Sequence, residues 1–366
     1  MLSLYWTVYL FDIVAGGGGR LFEITETISL RYLLFFTGIL ILLFSVLSLK
    51  VKLYKRELLI LLLGTSFIPI GLIKGSLHEV NDILFDLQQL MFFFIMALMF
   101  FQNDNNAKKI VERFNKYIFY IPIFMGLIYV ILFSLINIGL LPFNLFYNWA
   151  SGTNEFFFRG DEGYFFYKGF FFLGIGSIYC FIYKRYLIFF FLLFCILLSQ
   201  TRGIVLVTLA VCALYYILNA KKNSLLIIYM SIPLVIVGML YAFLKVIGIR
   251  EDVSDSDVVR LNDAMYIFDN LKPITALIGN GWGEHIGDRP KIEVVFLEIF
   301  YKAGALGLLS SFSFLIYFLL QKGFFRNPYF YFVVFSYVVS FSNPFVFTPM
   351  GITVLAIAII SCRFYK

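Results

Sequence analysis

Charge is scarce in this chain: aspartate, glutamate, lysine and arginine make up 14% of it, against about 25% in an ordinary soluble domain. That scarcity excludes a water-soluble fold, because 61% of the residues are hydrophobic and 20% are aromatic, too much apolar surface to hide from water. Histidine is rarer still. His78 and His285 are the only two, too few for a histidine-based metal centre. The four cysteines, Cys180, Cys195, Cys212 and Cys362, sit in apolar runs with no pair at metal-ligand spacing. They read as small apolar fillers, and no disulfide is expected. A Walker loop, a dinucleotide-binding glycine fingerprint and a long internal repeat are all missing, and neither a cofactor nor a metal is expected.

What is present is a succession of apolar runs, each near the roughly 20 residues that a helix needs to cross about 30 Å of hydrocarbon. The runs lack the dyad alternation of a transmembrane barrel, so helices must satisfy the backbone in lipid. The expected fold is an all-α polytopic bundle of about 12 spans forming one membrane domain over residues 1–366. The spans fall near 2–15, 31–49, 58–74, 84–101, 117–140, 164–183, 186–199, 203–219, 224–247, 292–320, 328–343 and 349–363.

Lysine and arginine in the short loops set the orientation. Lys50, Lys52, Lys55 and Arg56 follow the second span, and Lys108, Lys109, Arg113 and Lys116 the fourth. Lys184 and Arg185, Lys221 and Lys222, Lys322 and Arg326, and Arg363 and Lys366 continue the alternation. Both termini are therefore expected in the cytoplasm, with loops 16–30, 75–83, 141–163, 199–203, 248–291 and 344–348 facing the outside or the periplasm. Most of the short-loop cations behind the net charge of +7 already do this orienting, so charge names no partner and nucleic acid is not expected.

The cations on the opposite side are the informative ones. Arg202 lies in the turn Ser199-Gln200-Thr201-Arg202-Gly203. At about 1.5 Å per helical residue, the path from Arg185 rises roughly 25 Å, which leaves Arg202 at or just below the outer hydrocarbon boundary. A guanidinium there either snorkels to lipid headgroups or faces a wet cavity and an anion.

Residues 248–291 form the large periplasmic loop. Ser254 or Ser256 can cap an amphipathic helix with Val258, Leu261, Met265 and Phe268 in its apolar stripe and Arg260 near one edge. The loop Gly279-Asn280-Gly281-Trp282-Gly283-Glu284-His285-Ile286-Gly287 follows. There Gly281 and Gly283 allow close approach of a glycan, and Trp282 offers a face for a sugar ring, although such loops more often simply turn. Glu293 opens the next span, where it either complements a helix N-terminus or acts chemically. Glu298 and Lys302, four residues apart, read as a mutually neutralising structural pair.

Arg159, Asp161 and Glu162 lie in loop 141–163, and Lys168 follows early in the sixth span, where it too can snorkel. Together with Arg202, Arg250, Arg260 and Arg289, Arg159 and Lys168 can line one basic basin suited to a phosphate or diphosphate at the interface.

The serine/threonine-arginine-glycine turn, the large loop with its helical arginine, the glycine-rich stretch and the span Phe296-Leu297-Glu298-Ile299-Phe300-Tyr301-Lys302-Ala303-Gly304-Ala305-Leu306-Gly307 occur in an order that resembles the O-antigen polymerase and ligase superfamily. The resemblance covers roughly residues 155–320. Tyr167-Lys168-Gly169-Phe170 is similar to Wzy-type polymerases. It implies a glycosyltransferase acting on undecaprenyl-diphosphate-linked repeat units without metal or nucleotide sugar, with a chain-length regulator as a further partner. It also implies that Arg202 and Arg260 hold the donor diphosphate. Where ligases of the superfamily carry a histidine, this chain has Glu293, which favours the polymerase and makes Glu293 the candidate base, with His285 its rival. The rival functions are the ligase, a flippase or transporter, and a non-enzymatic glycan-binding protein.

Overall fold

The computed structural model describes residues 2–23, 28–47, 54–159, 164–220, 253–287 and 289–364, without the side chains of Arg159 and 253–257. The expected span 224–247, Arg250, Asp161, Glu162, Lys50, Lys52, Lys221, Lys222 and Lys366 lie outside the described residues.

Helices occupy each of the other eleven expected spans. Among the described residues five are long and apolar enough to cross a membrane: Leu30–Leu47, Lys55–Gly75, Asp104–Asn137, Arg202–Asn219 and Val295–Leu319. A sixth candidate, Val80–Leu87 with Leu90–Phe100, is bent by 51°. Five shorter apolar helices are Leu2–Ala15, Lys168–Ile182, Tyr186–Leu198, Pro328–Val339 and Pro349–Ser361. In chain order the α-helices are α1 Leu2–Ala15, α2 Leu30–Leu47, α3 Lys55–Thr65, α4 Phe67–Gly75, α5 Val80–Leu87, α6 Phe93–Phe100, α7 Asp104–Asn137, α8 Phe143–Gly152, α9 Phe171–Ile182, α10 Tyr186–Leu198 and α11 Arg202–Asn219. They continue with α12 Val253–Asp269, α13 Pro273–Ile278, α14 Val295–Ser311, α15 Ser313–Leu319, α16 Pro328–Val339 and α17 Pro349–Ser361.

The last helix lies in the core of the bundle. Every residue of α17 is buried, as an all-round apolar helix requires, and Tyr9 of α1 shares a 2.7 Å hydrogen bond with its Thr353. Helix α7 contains Pro122, which cannot donate to Ile118 four residues earlier. Gly176 of α9 packs at that point: a Cβ there would meet the Ile118 carbonyl at 2.9 Å. A proline and a glycine thus fit two helices closely together. All four cysteines are free.

The fold is mostly helical, as expected of an all-α membrane protein, and three details depart from the expected arrangement. Residues 164–167 do not begin the sixth span; β1 (Phe156–Arg159) and β2 (Tyr164–Tyr167) pair antiparallel, Phe156 opposite Tyr167 and Arg159 opposite Tyr164. Consecutive aromatics suit a pleated hairpin whose rings stack across strands, and Phe156 stacks on Tyr167 at 5.0 Å.

Helix α12 carries the expected apolar stripe on its free side: Val258, Leu261, Met265 and Phe268 are more than half exposed, while Asp263 and Ile267 are buried. Arg260 and Asp263 are ion-paired on the protein side, and the apolar stripe is left for lipid to cover. The helix also already contains Ser254 and Ser256, so neither caps it.

Helix α14 breaks at Gly304, where φ is +68°. A Cβ there would fall 2.3 Å from the Leu277 carbonyl, so only glycine lets α13 approach. The carbonyls that the break strands are taken by the glycine-rich loop: Asn280 N–H donates to Tyr301 O at 2.8 Å and Gly281 N–H to Lys302 O at 3.0 Å. Backbone groups at this depth need such partners.

Candidate active site

Arg260 lies on α12 one turn before Asp263, so both side chains leave the helix on one face. Arg260 Nε donates to Glu293 Oε2 at 2.9 Å and its Nη2 to the Ser342 carbonyl at 3.2 Å. Asp263 pairs with Arg289. Two opposite charge pairs therefore fasten α12 to the segment 285–293. Glu293 does not sit in the first turn of its span; α14 begins at Val295, and Glu293 reaches toward Arg260 instead.

Arg202 is the first residue of α11, and its Nε and Nη2 are buried. The N-cap residue Thr201 supplies no side-chain cap to the amides that follow; its hydroxyl turns to the Ser199 carbonyl at 3.2 Å. A cation at the positive end of a helix dipole is unfavourable unless an anion joins it, and uncapped amides at such an end bind anions. The next residue, Gly203, packs on the 341–344 turn, where a Cβ would lie 2.7 Å from Ser342 Oγ. The Arg202 turn and Arg260 thus converge on Ser342. Ser342 and Asn343, between α16 and α17, match no motif and were invisible from sequence; only the packing gives them a place.

The basin divides. Lys168 belongs to another cluster: its Nζ donates to the Asn154 carbonyl at 2.7 Å and lies 5.7 Å from the Phe157 ring centroid. Beside it, the buried Glu155 accepts from the Gly18 and Arg20 amides at 2.6 and 3.0 Å. The glycine run 16–19 makes this corner, with positive φ at Gly17 and Gly19; successive amides in that conformation cradle a carboxylate. Arg289 is drawn to Asp263, which leaves it a clamp. The backbone of Arg159 is in β1; its side chain is outside the described residues.

The glycine-rich loop is a plug rather than a glycan platform. Trp282 is 2% exposed, its Nε1 donates to Ile68 O at 2.9 Å and its amide to Gly71 O at 3.1 Å. Gly281 leaves no room for a Cβ, which would lie 2.5 Å from Gly75 N, and Gly283 N–H donates to Asp86 Oδ2 at 2.7 Å. The amides of Asn280, Gly281, Trp282 and Gly283 are all engaged within the protein, so the expected stacking by Trp282 and close approach at Gly281 and Gly283 give way to packing against α4 and α5.

The two histidines pair reciprocally across one seam, His78 with Glu284 at 3.2 Å and His285 with Asp82 at 3.5 Å. His285 therefore faces α5, while Glu293 faces Arg260. Beneath Glu293 lies a cavity of about 240 Å³, to which Asp86, Lys291 and Glu298 also contribute. Burial pushes the Lys291 ammonium below the usual lysine range, against the pull of Glu298 and Asp86. Lys302 is 1% exposed and donates to Asp86 Oδ1 at 2.6 Å, Pro290 O at 2.8 Å and Glu298 Oε1 at 3.3 Å. The expected Glu298–Lys302 pair exists, but Asp86, from 216 residues away, is the closer partner.

No family model and no solved structure matches the chain. Among curated proteins it is similar to the O-antigen polymerase of Shigella flexneri, with 36% identity over 98% of this chain and 94% of the relative. Identity of that degree over nearly the full length of both chains extends well beyond the motifs around Arg202 and Glu293, and the chain belongs to the O-antigen polymerase family.

Proposed function

We propose that this multi-pass membrane protein moves a growing undecaprenyl-diphosphate-linked glycan onto the terminal sugar of another lipid-linked repeat unit, from a site facing the periplasm of the inner membrane. The observation that carries the reading is the convergence of Arg260, paired with Glu293, and the Arg202-led N-terminus of α11 on Ser342. Glu293 marks where an anion sits against Arg260. A diphosphate arriving there takes over the guanidinium and releases the carboxylate.

The acceptor hydroxyl oxygen then attacks the anomeric carbon of the donor. The bond from that carbon to the diphosphate oxygen breaks, and its electron pair leaves with the diphosphate, whose growing charge Arg202 and Arg260 stabilise. Glu293 takes the hydroxyl proton; His285, turned toward Asp82, is the rival base. No step in this scheme calls on a metal or a nucleotide sugar. A chain-length regulator is the further partner that the resemblance implies.

The test is reconstitution with the lipid-linked repeat unit alone, with products sized by gel, in the presence and absence of a chelator. A ladder formed without any lipid A acceptor, and undiminished by chelation, is the expected result. Translocation of the substrate without a ladder overturns the reading.

A further inference from the structure

The cavity beneath Glu293 has a chemistry of its own. Asp86, Gln89, Lys291, Glu293 and Glu298 supply its polar lining, and Phe67, Pro344 and Phe347 its apolar walls. Its volume of about 240 Å³ is below the roughly 300–1,000 Å³ of pockets that enclose drug-sized ligands, room for a single ring and not for a whole oligosaccharide.

Its charges decide what kind of ring. Lys302 is matched by Asp86 at 2.6 Å, and Arg260 by Glu293 at 2.9 Å. Both Asp86 oxygens are committed, one to Lys302 and one to the Gly283 amide. Glu298 has only the longest of the three Lys302 contacts, 3.3 Å. It is therefore the carboxylate most available to the cavity, with Lys291 as the remaining counter-charge. No net positive charge is left to attract an anion. A carboxylate accepts hydroxyl hydrogen bonds, an amide both gives and accepts them, and aromatic walls pack against ring carbons.

We infer that this cavity is the subsite for one neutral sugar ring of the acceptor glycan, with Glu298 and Gln89 as the side chains that hold its hydroxyls. The word acceptor rests on the polymerase reading; the binding of a sugar ring does not. A ring seated there is bordered by Glu293, which lines the same cavity, and so presents its hydroxyls to the candidate base. Lys302 and Asp86 are positioning residues that fix Glu298 from behind.

The probe is the repeat-unit oligosaccharide released from its lipid and capped at the reducing end, so that it carries no diphosphate. Binding to the full-length protein in nanodiscs is measured by calorimetry, beside ladder formation by the same variants. Glu298→Ala and Gln89→Ala are each expected to weaken binding about tenfold, the scale of one lost charge-assisted or amide hydrogen bond, and Glu298→Gln less. Arg202→Ala is expected to bind the capped glycan as wild type does while making no ladder. If Glu298→Ala unfolds, Glu298→Gln and Gln89→Ala decide. Wild-type affinity in the folded variants, or no binding by the wild type, overturns the subsite. A full ladder from Arg202→Ala and Arg260→Ala instead overturns the diphosphate reading and leaves the subsite standing.

Discussion

Arg260 and Glu293, from a surface helix and from the approach to a membrane span, form a 2.9 Å ion pair that stays partly exposed, with side-chain exposures of 29% and 46%. An exposed pair of this kind adds little stability, about 0–1 kcal/mol. Its partners can therefore separate at small cost when a stronger anion arrives.

Arg260→Lys keeps the charge but loses the fork that reaches both Glu293 and Ser342. Initial rates of ladder formation should fall at least tenfold. Arg202→Ala and Arg260→Ala should each cost about a hundredfold or more, the usual effect of removing one donor to a developing charge, while thermal unfolding in detergent stays close to wild type.

Glu293→Gln removes the proton acceptor without changing the shape of the side chain. A base contributes about 10² to 10⁴ in rate, so single-turnover rates should drop by that factor, whereas His285→Ala should retain most of the wild-type rate. The opposite ranking assigns the base to His285.

Lys302→Met leaves Asp86 and Glu298 buried without their ammonium, which should destabilise the protein by about 3–5 kcal/mol. Adding Asp86→Asn removes one stranded charge and should recover part of that loss, read as a partial return of the unfolding midpoint. No recovery would mean that Asp86 and Lys302 are not coupled.

Gly304→Ala places a Cβ where the Leu277 carbonyl lies 2.3 Å away and forces a left-handed residue. The backbone term alone is about 1–2 kcal/mol, and the clash adds to it. A lower unfolding midpoint and reduced yield in the membrane are expected; unchanged values would argue against the break in α14.

The chain itself determined the helical class, the positions of its apolar segments and the residue types of the candidate centre. Hydropathy, the order of the motifs and the identities of Arg202, Arg260 and Glu293 are properties of short stretches, legible one stretch at a time. Which residues those arginines meet is not such a property. Lys302 read as the partner of Glu298 because four residues in a helix always face one another; Asp86, 216 residues earlier, could enter only once α5 packed beside the break in α14. Trp282 read as a sugar platform because an indole in a glycine-rich loop has that chemistry, yet the stranded carbonyls at Gly304 drew the loop inward. Glu293 read as part of the first turn of its span, but the helix begins at Val295 and the pair with Arg260 holds Glu293 ahead of it. Tertiary structure decided these three because each turns on the satisfaction of polar groups by partners distant in sequence, and in a chain this poor in charge every buried one must find such a partner.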